Sequence, residues 1–455
     1  MNRSNLHDYQ VKAVDFVKNH PSAGLFIEMG CGKSIITLTA ISDLMDDCEA
    51  SKVLVVAPLK VAQTTWTDEV EKWEHLSHLK VSRILGNEKQ RIEALRTKAD
   101  IYVIGRDSFV WLVKYCNSRL PFDMLVIDEL TSFKSSKSLR FKAMRRVRSQ
   151  FNRIVGLTGT PAPNGYLDLW AQVFCLDGGQ RLGFYKTRYT AMYFVTVMSA
   201  QHFPLSCKLA PGAKEAIEKK ISDICLSMKA ADYITLPPVS YIKTKVELPP
   251  HIMRQYKVFA KEQIMSVGKD NITAANAAVM VGKLSQFANG AIYHDDDAPV
   301  GKRWETEIHS EKLTALAELV EQAKSPVLVF YQFKHDASRI QAALKGMKVE
   351  VYEDENTLRR WNDGKIDVLL AHPASTAYGL NMQKGGHIIV WFGTGFNAEL
   401  YSQANARLYR QGQQEHVFIY QLVVAGTVDE RALQAVEGKI KTQDALLNAI
   451  KELTL

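Results

Sequence analysis

The sequence predicts an α/β protein with two parallel sheets, each enclosed by helices. Short apolar runs alternate with helical stretches in the first half of the chain, and the same alternation returns in the second half. Runs such as Lys52–Ala57 and Val327–Phe330 are rich in β-branched residues and show no polar residue at every second position. That pattern is typical of strands buried on both faces, and therefore of parallel strands between helical layers.

The predicted elements follow in chain order. Strands are predicted at Ala23–Ile27, Lys52–Ala57, Ile101–Ile104, Met124–Ile127, Asn152–Gly156, Val327–Phe330, Val349–Tyr352, Val368–Leu370, Ile388–Trp391 and Val417–Leu422. Helices are predicted at Ser34–Leu44, Gly212–Met228, His251–Ala288, Glu311–Gln322 and Leu400–Leu408, with a helical tail at Thr427–Leu453. This order of strands and helices indicates two α/β units on one chain.

The stretch between the two units is less regular and is interrupted by prolines, of which Pro237-Pro238 is the predicted hinge. We predict a first domain over residues 1–235, including a helical insertion from about residue 182. The second domain covers residues 236–455, with a helical insertion at about 249–300 and the helical tail. A chain of 455 residues suits two or three domains.

The composition excludes several classes of protein. With 46% hydrophobic and 23% charged residues, the chain resembles neither disordered nor fibrous proteins. No apolar run approaches the roughly 20 residues of a membrane span, and the first residues lack the apolar core of a secretory signal. The six cysteines are scattered, which argues against a zinc site or a disulfide framework. We therefore expect a cytoplasmic protein with no membrane partner.

The net charge of +8 is mild for this length, but one segment is strongly basic. Between Lys134 and Arg148 the chain carries seven lysines and arginines and no acidic residue. A solvated helix face is the plain interpretation, although such faces usually mix the two signs of charge. The segment therefore predicts a surface that faces phosphates.

The segment Glu28–Ser34 lies between a predicted strand and a predicted helix. The backbone of Gly30, Cys31 and Gly32 can curl around phosphate oxygens, Lys33 can reach the β- and γ-phosphates, and Ser34 can ligate magnesium. The usual pattern has a further glycine where this chain has Ile27. A tight strand-to-helix turn would use similar residues, but the strand and helix context favours phosphate binding.

Two carboxylates, Asp128 and Glu129, end a predicted apolar strand about ninety residues later. In phosphoryl transfer the first acid holds magnesium and the second polarises the attacking water as general base. Acids are also favoured at helix N-termini for structural reasons. The pair predicts a catalytic site only together with Lys33.

Two later segments complete the pattern. Leu157–Pro161, with Thr158 and Thr160, ends another strand, and a proline-terminated turn is its plain interpretation. In Gln403–Gln413 the spacing places Arg407 and Arg410 on one face of a helix. They are either a surface pair or arginines that reach a γ-phosphate from the second unit.

The order of these motifs resembles the Swi/Snf-type translocases among the superfamily-two helicase-like ATPases, and the resemblance covers nearly the whole chain. Leu6, Tyr9 and Gln10 resemble the motif in which a glutamine reads adenine. Further segments resemble the family's motifs in order: Glu28–Ser34, Val55–Lys60 with Trp66 and Trp73 (a DNA-contacting region), Asp128–Ser138, Leu157–Pro161 with Asn164, Val327–Phe333, Gly379-Leu380-Asn381 and Gln403–Gln413.

The resemblance implies two tandem RecA-like lobes, with a cleft between them that binds ATP and magnesium. Gln10 and Gly379 are then nucleotide-binding residues, and Arg407 and Arg410 complete the catalytic set. Coupling residues are Thr158, Thr160 and Gln403, and candidate DNA contacts are Lys60, Arg106, Lys134 and Lys334. The implied activity is DNA translocation, on duplex DNA and with little sequence preference.

The compact length resembles members that bacteriophages and mobile elements encode, which implies a monomer in a bacterial or phage-infected cell, with an unidentified recruiting protein possible. Leu130-Thr131 stands where the family has Ala-His, Thr376-Ala377 where it favours Gly-Gly, and Phe396-Asn397-Ala398 where Trp-Asn-Pro is typical. Two alternatives stay open: a strand-separating helicase on DNA or RNA, and a nucleotide-gated DNA-binding scaffold with little hydrolysis.

Overall fold

The computed structural model describes residues 1–28, 30–159, 161, 165–198, 204–228, 236–267, 274–293, 305–376 and 380–438. The chain divides into two compact units, Met1–Ile234 and Thr235–Leu455. Within the described part of the chain, no helix is both long and apolar enough to cross a bilayer. Thr160, Asn164 and Gly379, which the sequence assigns to the site, lie outside the described residues, as does the tail beyond Gly438.

The first unit surrounds a parallel sheet of seven strands in the order β3-β4-β2-β5-β6-β1-β9. Its strands are β1 (Ser22–Ile27), β2 (Val53–Ala57), β3 (Val81–Ile84), β4 (Ile101–Gly105), β5 (Met124–Asp128), β6 (Arg153–Thr158) and β9 (Cys225–Met228), and an antiparallel hairpin is formed by β7 (Phe194–Met198) and β8 (Pro204–Leu209). Its helices are α1 (Asp8–Asn19), α2 (Lys33–Asp46), α3 (Leu59–Gln63), α4 (Thr65–Lys72), α5 (Glu88–Arg96), α6 (Phe109–Tyr115), α7 (Leu139–Val147), α8 (Leu169–Asp177), α9 (Lys186–Tyr193) and α10 (Ala213–Ile221).

The second unit surrounds a parallel sheet of six strands in the order β10-β17-β16-β13-β15-β14. Its strands are β10 (Val239–Val246), β13 (Val327–Phe330), β14 (Val349–Val351), β15 (Val368–Ala371), β16 (Ile388–Trp391) and β17 (Val417–Val424), with a small antiparallel pair β11 (Ala291–Tyr293) and β12 (Glu305–Glu307). Its helices are α11 (Pro250–Val267), α12 (Ala274–Asn289), α13 (Glu311–Gln322), α14 (Lys334–Ala343), α15 (Glu355–Asn362), α16 (Pro373–Thr376), α17 (Ala398–Asn405) and α18 (Val428–Val436).

Both sheets have buried central strands, as their sequence pattern predicts. Every residue of β2, β4, β5 and β6 is buried, and so is every residue of β13, β15 and β16. The large apolar clusters of each unit include side chains from these strands and from the helices that cover them. The prediction of two parallel α/β units is therefore confirmed.

Three helical predictions are wrong in part. The insertion predicted to be helical from about residue 182 includes the antiparallel hairpin β7–β8. The predicted helix Gly212–Met228 is helical only over Ala213–Ile221, and Cys225–Met228 is the edge strand β9, which pairs in parallel with β1. Four residues with little periodicity carry no local signal for a strand, and here pairing with β1 decides the conformation. The predicted helix Leu400–Leu408 begins at Ala398 and ends at Asn405.

The strands place the predicted site residues at one edge of the first sheet. β6 lies between β1 and β5, with Thr158 in register with Phe26 and Leu157 in register with Asp128. Because all three strands are parallel, their carboxyl ends meet at the same edge, which is where ligands bind in open α/β sheets.

Candidate nucleotide site and its partner elements

The phosphate loop follows β1 and ends at the start of α2. Gly30 and Gly32 have φ values of 84° and 78°, and Gly32 is the residue that precedes the first helical turn. A Cβ atom on Gly32 would lie 2.3 Å from Nε2 of Gln10. Gly32 is therefore required both for its left-handed backbone and for the close approach of α1.

Lys33 is the first residue of α2, and its ammonium lies over the end of β1. Its Nζ donates to the carbonyls of Ile27 at 2.8 Å and Glu28 at 3.2 Å. The charge of Lys33 also acts on Asp128, where it lowers the carboxyl pKa against the effect of burial. The structure thus brings Lys33 and Asp128 together, as the sequence predicts, and half-buried Ser34 follows in the same helical turn.

Two side chains of α1 hold the phosphate loop from outside. The hydroxyl of Tyr9 donates to the Cys31 carbonyl at 3.1 Å, and Nε2 of Gln10 donates to the same oxygen at 3.3 Å. Oε1 of Gln10 accepts from the His7 N–H at 3.0 Å, and both Tyr9 and Gln10 are buried. Adenine reading by Gln10 stays a prediction, whereas its contact with the loop is present.

Asp128 ends β5 and is 9% exposed. Burial raises the pKa of its carboxyl, while the charge of Lys33 and a hydrogen bond from Trp66 lower it. The indole Nε1 of Trp66 donates to Oδ2 of Asp128 at 3.2 Å, and the Trp66 ring is 1% exposed. Sequence reasoning placed Trp66 in a DNA-contacting segment, but this tryptophan belongs to the carboxylate site.

The neighbouring Trp73 is also buried, and its Nε1 donates to Oε2 of Glu69 at 2.9 Å. Neither tryptophan therefore offers a ring to an external ligand. Trp66 lies in α4, whereas Trp73 is the extended residue that follows the end of this helix, so their spacing in the sequence gives no signal of their shared burial.

Glu129 has φ 61° and ψ 69°, in the left-handed region that residues other than glycine seldom occupy. The conformation costs about 1–3 kcal/mol and is common at functional sites. The Thr131 hydroxyl lies 3.4 Å from Oε2 of Glu129, a long hydrogen bond. Thr131 therefore gives this carboxylate a neutral neighbour at the position where the resembled family has histidine.

Thr158 ends β6 and is fully buried. Because β6 lies between β1 and β5, this residue sits between the phosphate loop and the Asp128-Glu129 pair in the order of strands. The position suits a residue that responds to both elements.

Three of the predicted DNA contacts follow strands of the first sheet on its carboxyl edge. Lys60 lies in α3 after β2, and burial lowers the pKa of its ammonium. Arg106 follows β4, and its N–H donates to the Ala57 carbonyl at 2.8 Å. Lys134 follows the turn after β5, whereas Lys334 is exposed at the start of α14 in the second unit.

The basic segment 134–148 is not a single surface that faces phosphates. Arg148 donates through Nε to the Leu176 carbonyl at 3.2 Å and through Nη2 to the Ser22 hydroxyl at 3.2 Å, so it is a structural residue. Arg145 packs over the ring of Phe184 at 4.5 Å. Lys142 and Arg146 are exposed on the same helix.

In the second unit, Arg407 and Arg410 lie beyond the end of α17 and not on one helical face, so that prediction is wrong. The Arg407 carbonyl accepts from the Met382 N–H at 3.0 Å instead of continuing the helix. Arg407 is 6% exposed, and its Nε donates to the Gln403 carbonyl at 3.0 Å. Arg410 is half-buried, and its Nη1 donates to the Leu380 carbonyl at 3.2 Å.

Gln403 is buried in α17, where its Nε2 donates to Oε1 of Glu399 at 3.3 Å. Leu380 and Met382 lie just after Gly379. The Arg410 guanidinium donates to Leu380 and the Arg407 carbonyl accepts from Met382, so both connect this segment to the one that follows α17. The segment with Leu380 and Met382 and the segment that follows α17 therefore lie against each other in the second unit.

Sequence reasoning missed a buried ion pair in the second unit. Lys312 is 1% exposed, and its Nζ lies 2.6 Å from Oδ2 of Asp429, 2.8 Å from Oδ1 of Asn289 and 3.0 Å from the Phe392 carbonyl. The three acceptors come from α18, α12 and the end of β16, so one ammonium joins three elements around the sheet.

Comparison with known proteins agrees with this architecture. Two parallel α/β units with a phosphate loop, an acidic strand end and an arginine segment define a helicase-like ATPase core. The SNF2-related domain model matches residues 9–288. Protein p41 of Acyrthosiphon pisum secondary endosymbiont phage 1 is 37% identical over 97% of this chain and 98% of its own length. The chain therefore belongs to the SNF2-related family, as a compact, phage-type member with two RecA-like units.

More distant relatives are longer. An uncharacterized ATP-dependent helicase of Mycoplasma genitalium is 24% identical over 96% of this chain, which spans 42% of that protein. The DNA repair and recombination protein RAD54-like of Danio rerio is 22% identical over 90% of this chain, which spans 61% of that protein. Among solved structures, the Sulfolobus solfataricus SWI2/SNF2 ATPase core in complex with dsDNA has a TM-score of 0.45 and 19% identity, covering 99% of this chain and 96% of that one.

Proposed function

We propose that this protein is an ATP-dependent translocase that moves along the backbone of duplex DNA. The observation that carries the proposal is that the glycine-rich loop with Lys33 follows β1, and Asp128 ends β5, at the same carboxyl edge of one parallel sheet. In this structure the Lys33 ammonium donates to the carbonyls of Ile27 and Glu28. Phosphate oxygens would replace these carbonyls as acceptors, since they carry full negative charge.

Magnesium fits the oxygen ligands of this site. The Ser34 hydroxyl and the Asp128 carboxylate are hard ligands of the kind that magnesium prefers, and the remaining positions would be filled by water and by phosphate oxygens. Among the described residues no group of three or more acidic, histidine or cysteine side chains could hold a metal. When bound, the ion would neutralise charge that develops on the phosphates.

Glu129 is the proposed general base. It follows Asp128 directly, and its left-handed backbone turns the chain sharply after β5. A carboxylate in that position can accept a proton from water while Lys33 and the loop amides stabilise the phosphates. At the position where the resembled family has histidine, the Thr131 hydroxyl donates a long hydrogen bond to this carboxylate and would help to orient it.

The proposed arginine finger is Arg410. It is half-buried and its Nη1 donates to the Leu380 carbonyl, whereas Arg407 is nearly inaccessible and its Nε donates to the Gln403 carbonyl of α17. Arginine fingers contribute about 10³–10⁵ in rate. Thr158 and Gln403 are the proposed coupling residues, since each is buried next to an element that contacts nucleotide in this scheme.

DNA is proposed as the second substrate because Lys60, Arg106 and Lys134 lie along the carboxyl edge of the first sheet, and Lys334 follows a strand of the second. A related ATPase core was solved with dsDNA, and another relative is named for DNA repair and recombination. Contacts of this kind to the backbone predict little sequence preference and a steep dependence on salt. The phage-encoded relative supports action inside a bacterial host.

The test compares phosphate release with duplex DNA, single-stranded DNA and RNA, beside strand-separation and triplex-displacement assays. Stimulation by duplex with triplex displacement and no unwinding supports translocation. Unwinding would identify a strand-separating helicase, and DNA binding without hydrolysis would identify a scaffold. Stimulation by RNA alone would overturn the choice of substrate.

Arg410→Ala tests the catalytic assignment. It should lower DNA-stimulated turnover by about 10³-fold or more while a fluorescent ATP analogue still binds. Arg359→Ala is the matched control, because Arg359 is an exposed arginine of α15 in the same unit. Lost nucleotide affinity with normal residual turnover would contradict the assigned role.

A further inference from the structure

A basic and aromatic surface of the first unit is not used by the proposed motor. It consists of Lys142, Arg145 and Arg146 on α7 and of Phe184, Tyr185 and Arg188 at the start of α9, and we name it the α7–α9 surface. Arg145 and Arg146 follow Lys142 by three and four positions, so each lies on the same side of the helix as Lys142. All six side chains are exposed.

The two rings are exposed although they are large and apolar. Phe184 is 49% exposed and Tyr185 is 61% exposed, and their rings meet edge to face with centroids 5.2 Å apart. The guanidinium of Arg145 lies 4.5 Å from the centroid of Phe184. A neighbouring cation fixes the orientation of the ring and leaves part of its surface open to solvent.

The surroundings of the surface are positive. Neither of the segments 130–167 and 178–214 contains an aspartate or a glutamate. The nearby Asp177 is 3% exposed and accepts hydrogen bonds from the Gly179 and Arg181 N–H groups, while Asp223 forms an ion pair with the Arg181 side chain at 2.6 Å. Asp177 and Asp223 are thus satisfied locally, and Glu218 accepts a hydrogen bond from the Tyr166 hydroxyl, so the exposed arginines face a polyanion better than a neutral partner.

The α7–α9 surface is remote from the phosphate loop. Arg148, at the end of α7, donates to Ser22, which begins β1, whereas the loop begins after Ile27 at the other end of the same strand. Five residues of strand separate the two ends by roughly 16 Å. Arg145 and Arg146 lie three and two residues before Arg148, so this part of the surface lies toward the amino end of β1 and away from the phosphate loop.

Exposed rings between exposed cations indicate which nucleic acid fits. Duplex DNA hides the faces of its bases in the stack and offers a protein mainly phosphates, for which the arginines alone would suffice. An unpaired strand offers base faces that stack on aromatic side chains, with cations along its backbone. Because the rings of Phe184 and Tyr185 are inclined at 81°, the bases that stack on them would be splayed, as in an unpaired strand.

We propose that the α7–α9 surface binds single-stranded DNA, with bases on Phe184 and Tyr185 and with phosphates facing Lys142, Arg146 and Arg188. This site goes beyond the motor and requires no ATP hydrolysis. It would hold an unpaired strand while the sheet edge that carries Lys33 works on a duplex.

The experiment measures anisotropy of fluorescein-labelled oligothymidylate without nucleotide, on the full chain. Phe184→Ala/Tyr185→Ala should weaken binding by at least about fivefold, the lower end for loss of one stacked base, and should leave duplex binding and duplex-stimulated ATPase unchanged. Arg146→Gln should lower the slope of log affinity against log salt by about 0.7, as expected for one phosphate contact to a single strand.

Tyr115→Ala is the matched control. Tyr115 is 43% exposed and stacks on Trp111, which Arg91 covers at 4.2 Å, but Glu88 accepts from the Trp111 indole at 3.0 Å and adds negative charge. This variant should bind oligothymidylate like the wild type. Tyr185→Phe keeps the ring and should also bind normally, which separates stacking from a folding defect.

Equal losses on oligothymidylate and on duplex, or no loss in the double alanine variant, would overturn the proposal. Tighter binding of oligouridylate than of oligothymidylate would overturn the choice of DNA. The proposed translocase function is tested separately. Absence of duplex-stimulated ATPase activity in the wild type would refute that function and would not change the oligothymidylate binding measurement.

Discussion

Replacing Trp66 by phenylalanine isolates one hydrogen bond at the carboxylate site. The Trp66 indole is 1% exposed and donates to Oδ2 of Asp128 at 3.2 Å, and phenylalanine retains a ring in the same space without the N–H. Burial raises the pKa of Asp128, and Trp66 is one of the groups that lower it. The substitution should therefore raise that pKa further and leave the carboxylate less firmly oriented.

The magnitude follows from the type of bond. A hydrogen bond to a charged group contributes about 1.5–3 kcal/mol. At 1.4 kcal/mol for each factor of ten, the loss corresponds to an effect of about 10- to 150-fold. We expect this effect as an increase in the magnesium concentration that half-saturates ATP hydrolysis. Because a protonated Asp128 is a poor cation ligand, the acid limb of the activity profile should move to higher pH, while activity at alkaline pH changes less.

The assay combines magnesium titration of ATPase activity with the thermal shift that ADP causes with and without magnesium. Trp73→Phe is the matched control, since Trp73 is 4% exposed and donates to Glu69 at 2.9 Å in the same segment. It should leave both readouts near the wild-type values. Identical magnesium dependence and pH profiles for the two variants would refute the role of Trp66.

Two further predictions concern contacts that lie within one unit. Lys312→Met should lower the free energy of unfolding by about 3–5 kcal/mol in urea titrations, because it leaves Asp429 buried without its cation. Lys312→Met/Asp429→Leu should recover part of that loss, and a double variant that is no more stable than the single one would contradict the explanation. Tyr9→Phe removes one of two donors to the Cys31 carbonyl and should raise the KM for ATP about fivefold, for a bond of about 1 kcal/mol, with kcat little changed. An unchanged KM beside a reduced kcat would show that Tyr9 does not act through the loop.

Local composition and motif order were enough to predict the fold class and the order of the site motifs. Buried strands such as β2, β5 and β13 consist of continuous β-branched and apolar residues, and their identity follows from local composition with little help from distant contacts. Motifs that follow parallel strands must come to one edge of the sheet. The placement of Lys33 and Asp128 at one edge of the first sheet was therefore predictable from the sequence.

The contacts between residues that are distant in sequence depend on how each unit packs, and they could be identified only in the structure. Trp66 donates to Asp128 across 62 positions, and Lys312 meets Asp429 across more than a hundred, yet neither pair has a local signature. The strand Cys225–Met228 exists because β1 offers an unpaired edge, and α17 ends at Asn405 because the Arg407 carbonyl accepts from Met382. Hydrophobic periodicity specifies which face of an element is buried, whereas a hydrogen bond also needs a partner whose position depends on the packing of the whole unit.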